Sequence, residues 1–295
     1  MTTHKYLLPQ SAWLRGFSSN IQSVVQRALD EQRLVGAVVL VSQHGEVIHQ
    51  QASGFSDREA VRPMTVDTVF RLASVSKPIV SVAALVLVAQ GRLELDEDIG
   101  IWKLDFQPRL ADGRTARITA RQLLSHMASL SYHFFEADEN SPYAMAGVSD
   151  GMDASGISLE ENLRRIASVP LIYEPGTAGD FLCLLEALRQ GGGKLLPDEL
   201  IAEMGRDQTN GLELPNAPGF GFGLGFSVLR DALLAASPES LETWRWGGAY
   251  GHSWFVDHVQ GLSVVAFTNT QFEGMSGRFV TEMRDVIYGA LETSL

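Results

Sequence analysis

Apolar positions recur at helical spacing from residue 19 to 33 (Ile21, Val24, Val25, Ala28, Leu29), which predicts an amphipathic helix. Gly36-Ala37-Val38-Val39-Leu40-Val41-Ser42 follows as a strand, and Gln43-His44-Gly45-Glu46 supplies a turn before Val47–Gln51, so an antiparallel hairpin opens the fold. A second hairpin is predicted near the other end. Its strands are Trp254–Asp257 and Leu262–Thr268, joined across Val259-Gln260-Gly261, and residues 276–292 close the chain as a helix. Between them, Ile79–Val88 is apolar on nearly every face, the pattern of a buried helix, and residues 119–206 read as mostly helical. Gly219, Gly221, Gly223 and Gly225 alternate with Phe220, Phe222, Leu224 and Phe226, a period of two that predicts a strand. Strands from both ends with helices between them give an α+β fold: one antiparallel sheet assembled from N- and C-terminal segments and flanked by helices.

Composition narrows the function. The 295 residues are 45% hydrophobic, enough for one large globular domain, and the net charge of −12 with no Lys/Arg cluster argues against nucleic acid and anionic membranes as partners. Residues 1–16 lack a basic start followed by an apolar core, and the longest apolar run (82–89) is too short to span a bilayer, so a soluble cytoplasmic protein is expected. Cys183 is the single cysteine and reads as core; neither Cys- nor His-based metal ligation has a motif behind it, and no cofactor is expected. The glycine clusters at 191–193 and 219–225 lack the strand-to-helix context of a phosphate loop.

The chemistry concentrates in Ser74-Val75-Ser76-Lys77. A serine at the mouth of a helix and a lysine three positions later share a helical face, so hydroxyl and amine fall within hydrogen-bond reach. The lysine accepts the serine's proton only if burial keeps it largely neutral. With Ser74 as N-cap, Pro78 falls in the first turn, where its missing N–H costs nothing. A second constellation, Trp246-Gly247-Gly248-Ala249-Tyr250-Gly251-His252, enters the C-terminal hairpin, and its glycines allow close approach to a bound substrate.

In order along the chain, Arg71–Pro78, Gln122-Leu123-Leu124-Ser125-His126-Met127-Ala128-Ser129-Leu130, Tyr173-Glu174-Pro175-Gly176-Thr177 and Trp246-Gly247-Gly248 resemble the family VIII carboxylesterases, which share the fold of class C β-lactamases and penicillin-binding proteins. The resemblance extends to 161–168 and 251–257. It implies a single β-lactamase-like domain, with a sheet subdomain of 1–73 and 207–295 and a reduced helical subdomain of 74–206. It also implies a serine hydrolase acting on small-molecule esters, with residual β-lactam hydrolysis at most. Ser74 would be the acylated nucleophile, Lys77 its base, and the N–H groups of Ser74 and Ala249 the oxyanion donors. Trp246, Gly247, Gly248, Tyr250 and His252 would border the substrate. Trp246 stands where β-lactamases keep a lysine that grips the β-lactam carboxylate, which favours uncharged acyl groups.

The chain departs from the family pattern in one respect. After Pro175-Gly176 it runs straight into 178–189, which resembles a helix lying much later in the family, so a long segment is missing and the family's general-base tyrosine with it. Tyr132 is the candidate replacement phenol. Helices that leaned on the missing segment would expose apolar faces, so either a homodimer or a more open site is expected. Two rivals stand beside this reading. A chain stripped of its tyrosine would be a binding protein that retains the fold without turnover. Alternatively, Gly147-Val148-Ser149-Asp150-Gly151 matches the G-x-S-x-G elbow of α/β-hydrolases, with His252 and Asp180 to complete a triad, although both flanks read as loop.

Overall fold

The computed structural model describes residues 12–102, 117–125, 128, 145–149, 156–158, 161, 164–165, 176–177, 185, 188–191, 196–212, 214 and 216–292. An amphipathic helix α1 (Ala12–Asp30) buries Phe17, Ile21, Val24, Val25 and Ala28. It starts earlier than its apolar spacing predicts and stops earlier too. Gln32 takes a left-handed φ of 56°, and the Arg33 N–H reaches back 2.9 Å to the Ala28 carbonyl.

Strand β1 (Gly36–Gln43) turns through His44-Gly45 into β2 (Glu46–Asp57), which runs longer than the predicted 47–51. β3 (Arg62–Pro63) closes that edge, where a proline's missing donor is tolerated. At the far end of the chain, β6 (Phe220–Phe222), β7 (Ser227–Leu229), β8 (Trp244–Gly248), β9 (His252–Asp257) and β10 (Leu262–Thr268) follow one another. The order across the eight-stranded sheet is β3-β2-β1-β10-β9-β8-β7-β6, and its registered pairs are antiparallel. The two ends of the chain meet at β1 and β10, with Ala37 opposite Thr268 and Gln43 opposite Leu262. This is an antiparallel α+β arrangement, as the sequence predicts.

Because β1 lies mid-sheet with both faces covered, its side chains divide by parity. Ala37, Val39 and Val41 join a core with α1 and the C-terminal helix, while Val38 and Leu40 join Leu72, Val75, Val82 and Leu85 on the other face. The C-terminal helix α6 (Arg278–Glu292), preceded by the single turn α5 (Glu273–Ser276), packs Phe279, Met283 and Ile287 into the first of these cores.

The Gly/Phe alternation is not one strand. It breaks at Gly223–Phe226, where the Gly223 N–H bonds to the Phe226 carbonyl at 2.9 Å and Gly225 has φ 102°. The helix α2 (Ser76–Ala89) packs against this turn, since a Cβ at 225 would stand 3.2 Å from Pro78 Cα and nearer still to the Ser81 hydroxyl. Nor is α2 buried all round. Pro78, Ser81, Val82 and Leu85 point inward, whereas Val80 is 59% exposed and Ile79 37%. Two shorter helices, α3 (Ala120–Leu124), with a Thr119/Gln122 capping box, and α4 (Asp198–Gly205), complete the described helical part. Among the described residues no helix is long and apolar enough to cross a membrane.

Candidate active site

The segment carrying Ser74 is fixed on both sides before it reaches the serine. A two-residue strand β4 (Val69–Phe70) pairs with β5 (Gly176–Thr177), which brings the Pro175-Gly176-Thr177 motif to the nucleophile segment through its described residues 176 and 177. Phe70 and Leu72 are buried, and Arg71 between them is exposed. Ala73 then adopts φ 47°, a left-handed conformation costly for a residue with a Cβ, at the start of a 3-10 turn, Ala73–Val75. Ser74 therefore does not cap α2, as its position suggests. Val75 holds the N-cap position, and Pro78 is the helix's third residue, still within the first turn.

Freed from capping, the Ser74 hydroxyl meets Lys77, whose Nζ donates to Oγ at 2.9 Å. The amine is largely enclosed, and burial lowers its pKa from 10.5 to about 8. The pair thus has the geometry and the proton affinity that a nucleophile and its base require.

Strand β8 supplies the opposite wall. Its registered pairing with β7 ends at Ser227 opposite Arg245, just before Trp246. A Cβ at Gly248 would collide with the Leu72 carbonyl oxygen and stand 3.2 Å from Val75 Cγ2, so only glycine lets the strand lie directly on the turn that holds Ser74. Ala249 follows in a turn fixed by the Gly251 N–H bonding to the Gly248 carbonyl at 2.9 Å. Among the described residues, no turn or loop hydrogen bond takes the N–H of Ser74 or of Ala249. Trp246 sets its ring edge-on to Phe222 at 4.9 Å, and Tyr250, half-buried, lies beneath the Arg71 guanidinium, 5.9 Å from ring centroid to Cζ.

His252, expected to border the substrate, lies inside the protein. Only 1% exposed, it donates from Nε2 to the Arg71 carbonyl at 2.6 Å and packs between Phe70 and Phe267. Burial lowers its pKa to about 4, keeping the ring neutral. Asp257, in the same motif, is also internal, accepting from the Tyr288 hydroxyl at 2.6 Å and the Ser240 N–H at 3.0 Å.

Tyr132, His126, Asp180 and Cys183 lie outside the described residues. Ser149 is buried and follows a turn at Ala146-Gly147, with the Gly147 carbonyl accepting from Arg165 at 2.7 Å. The described residues before it, 145–148, form no strand, and an antiparallel sheet is the wrong frame for an elbow. Among the described residues no three His, Cys, Asp or Glu side chains group as metal ligands. Sequence reasoning missed the left-handed Ala73, which no residue preference signals, and the Arg71–Tyr250 contact, which joins positions 179 residues apart in the chain.

A family profile described as Beta-lactamase matches residues 21–180. Over 374 aligned positions the chain is 34% identical to Esterase EstB of Burkholderia gladioli, covering 92% of this chain and 95% of that protein. Among solved structures, EstCE1, titled a hydrolase with promiscuous acyltransferase activity, superposes with a TM-score of 0.86 at 33% identity, covering 95% of this chain and all of its own. A family VIII carboxylesterase, at 15% identity and a TM-score of 0.62, covers 93% of this chain and 97% of its own and shares the fold.

Proposed function

We propose, from the premise that this chain belongs to the Beta-lactamase family and is a carboxylesterase-like serine hydrolase, that it cleaves small carboxylic esters through an acyl-enzyme on Ser74. Lys77 removes the hydroxyl proton as Oγ attacks the ester carbonyl carbon, and the tetrahedral oxyanion is held by the N–H groups of Ser74 and Ala249. Collapse breaks the bond to the alcohol oxygen, which leaves with the proton from Lys77. Water then attacks the acyl carbon, giving its proton to Lys77, and collapse breaks the bond to Ser74 Oγ, which takes that proton back as the carboxylic acid leaves. The carrying observation is the 2.9 Å contact between a largely enclosed amine and the serine hydroxyl.

Lys77 works in this reading without the family's tyrosine, with Tyr132 as its replacement phenol. General-base assistance contributes ~10² to 10⁴-fold, so the enzyme is slow rather than inert. Trp246, in place of a cation, favours neutral groups at its end of β8 and leaves β-lactams poorly held. The same acyl-enzyme can pass its acyl group to an alcohol in place of water, a reading favoured by the promiscuous acyltransferase activity of EstCE1.

The test compares Ser74→Ala with Ser149→Ala on a p-nitrophenyl ester, with mass spectrometry after incubation with an activated ester. An adduct on Ser74, and turnover lost only in Ser74→Ala, is expected. Full turnover by Ser74→Ala would end the proposal, and ligand binding without any adduct would favour the non-catalytic alternative. Tyr132→Phe that leaves turnover intact would remove the phenol from the mechanism.

A further inference from the structure

Arg71 is the residue of the nucleophile segment that the reaction above does not use. It is exposed between the buried Phe70 and Leu72, because alternation in an extended segment turns every second side chain away from the core. Its backbone is pinned by the 2.6 Å bond from His252, and its guanidinium rests over the Tyr250 ring at 5.9 Å. Arg71 precedes Ser74 by three residues and Tyr250 directly follows Ala249, so the stacked pair joins the two segments whose N–H groups face the reacting carbonyl.

The chain carries 35 acidic residues against 23 basic ones, and Arg33, Arg121, Arg230 and Arg245 each have a carboxylate partner. Arg71 makes no ion pair among the described residues; its contact there is the aromatic face. A contact to a ring face uses none of the guanidinium's N–H donors, which can bind two oxygens in plane. A molecule of net charge −12 repels anions over most of its surface, so a cation without an ion pair among the described residues, three positions before Ser74, discriminates between anionic and neutral ligands.

We infer that Arg71, held by Tyr250 and His252, is an anion-recognition point at the rim of the site, and that the preferred ester carries a carboxylate a few bonds from the scissile carbonyl. The inference rests on the acyl-enzyme reading and names its substrate class. It complements the neutral Trp246, which stands at the other end of the 246–250 segment. The carboxylate can sit on the acyl or on the alcohol part, and matched ester pairs separate the two.

Mono-4-nitrophenyl glutarate against 4-nitrophenyl butyrate carries the charge on the acyl side; 4-carboxyphenyl butyrate against phenyl butyrate carries it on the alcohol side. For one pair, the ratio of kcat/KM, anionic over neutral, should fall about tenfold in Arg71→Gln and be largely kept in Arg71→Lys. Added salt should shrink the same ratio in the unaltered protein. Ratios that stay the same in Arg71→Gln for both pairs overturn the inference. If no ester is turned over, the acyl-enzyme reading fails by itself, and calorimetry with the monoanilide of glutaric acid decides this one. Binding about tenfold weaker in Arg71→Gln supports it, and equal binding, or none to either protein, overturns it.

Discussion

A lysine amine ordinarily keeps its proton to pH 10.5, and enclosure beside Ser74 brings Lys77 down to about 8. With the neutral amine as the proposed base, kcat/KM for an uncharged ester should climb with pH and level off above about 8, which a pH–rate profile checks. The same group affects stability. Between about pH 8 and 10.5 the unfolded chain still holds the proton that the folded protein has released, so stability rises with pH through that window, and below it the folded state bears the full cost of enclosing a cation. Lys77→Met should therefore lower turnover by ~10² to 10⁴-fold while raising stability at pH 7 by on the order of 1–3 kcal/mol, read from denaturant unfolding. This trade was legible in advance, because a three-residue spacing on a helix fixes which side chains meet. The left-handed Ala73 was not legible, because its backbone is imposed by packing around the turn rather than by its own preference.

At the scale of elements, strands whose neighbours cover both faces announced themselves through β-branched runs, and β1, β9 and β10 fall close to their predicted bounds. The Gly/Phe run misled because a period of two persists across a tight turn, where nothing in the alternation marks Gly225 as the point of reversal. The apolar face of α2 misled for a related reason: hydrophobicity says what a helix can bury, not what stands beside it. The glycines divide by what surrounds them. Gly248→Ala pushes a methyl group into the Leu72 carbonyl, so it should separate β8 from the nucleophile turn, destabilise by ~1–3 kcal/mol and cut turnover at least about tenfold. Gly16 in α1 and Gly289 in α6 have nothing within 4 Å of an added Cβ, and alanine at either should stabilise by ~0.5–1 kcal/mol through helix propensity. Thermal unfolding of the three variants should separate the close approach from the open positions.

The whole molecule is set by a difference in length. The alignment with EstB runs over 374 positions and this chain has 295 residues, so at least 79 of those positions are gaps in this chain. The sheet of this chain has eight strands with β8 among them, so the wall of the site that β8 carries is in place. The surface we expect the shortening to uncover includes Val80 and Trp102, each 59% exposed, with Ile101 at 53% and Leu123 at 38%. A second copy of the chain is the occupant we expect, because the same apolar residues on each partner pair by twofold symmetry without needing charge complementarity. Light scattering should then give twice the 32.2 kDa chain mass, and Val80→Lys, which seats a cation in the contact, should return it to 32.2 kDa. A monodisperse monomer at high concentration for the unaltered chain ends the dimer. It would favour instead an open cleft on that face, for which long-chain acyl esters should be turned over at rates close to those of short ones, because nothing would crowd the far end of the acyl group.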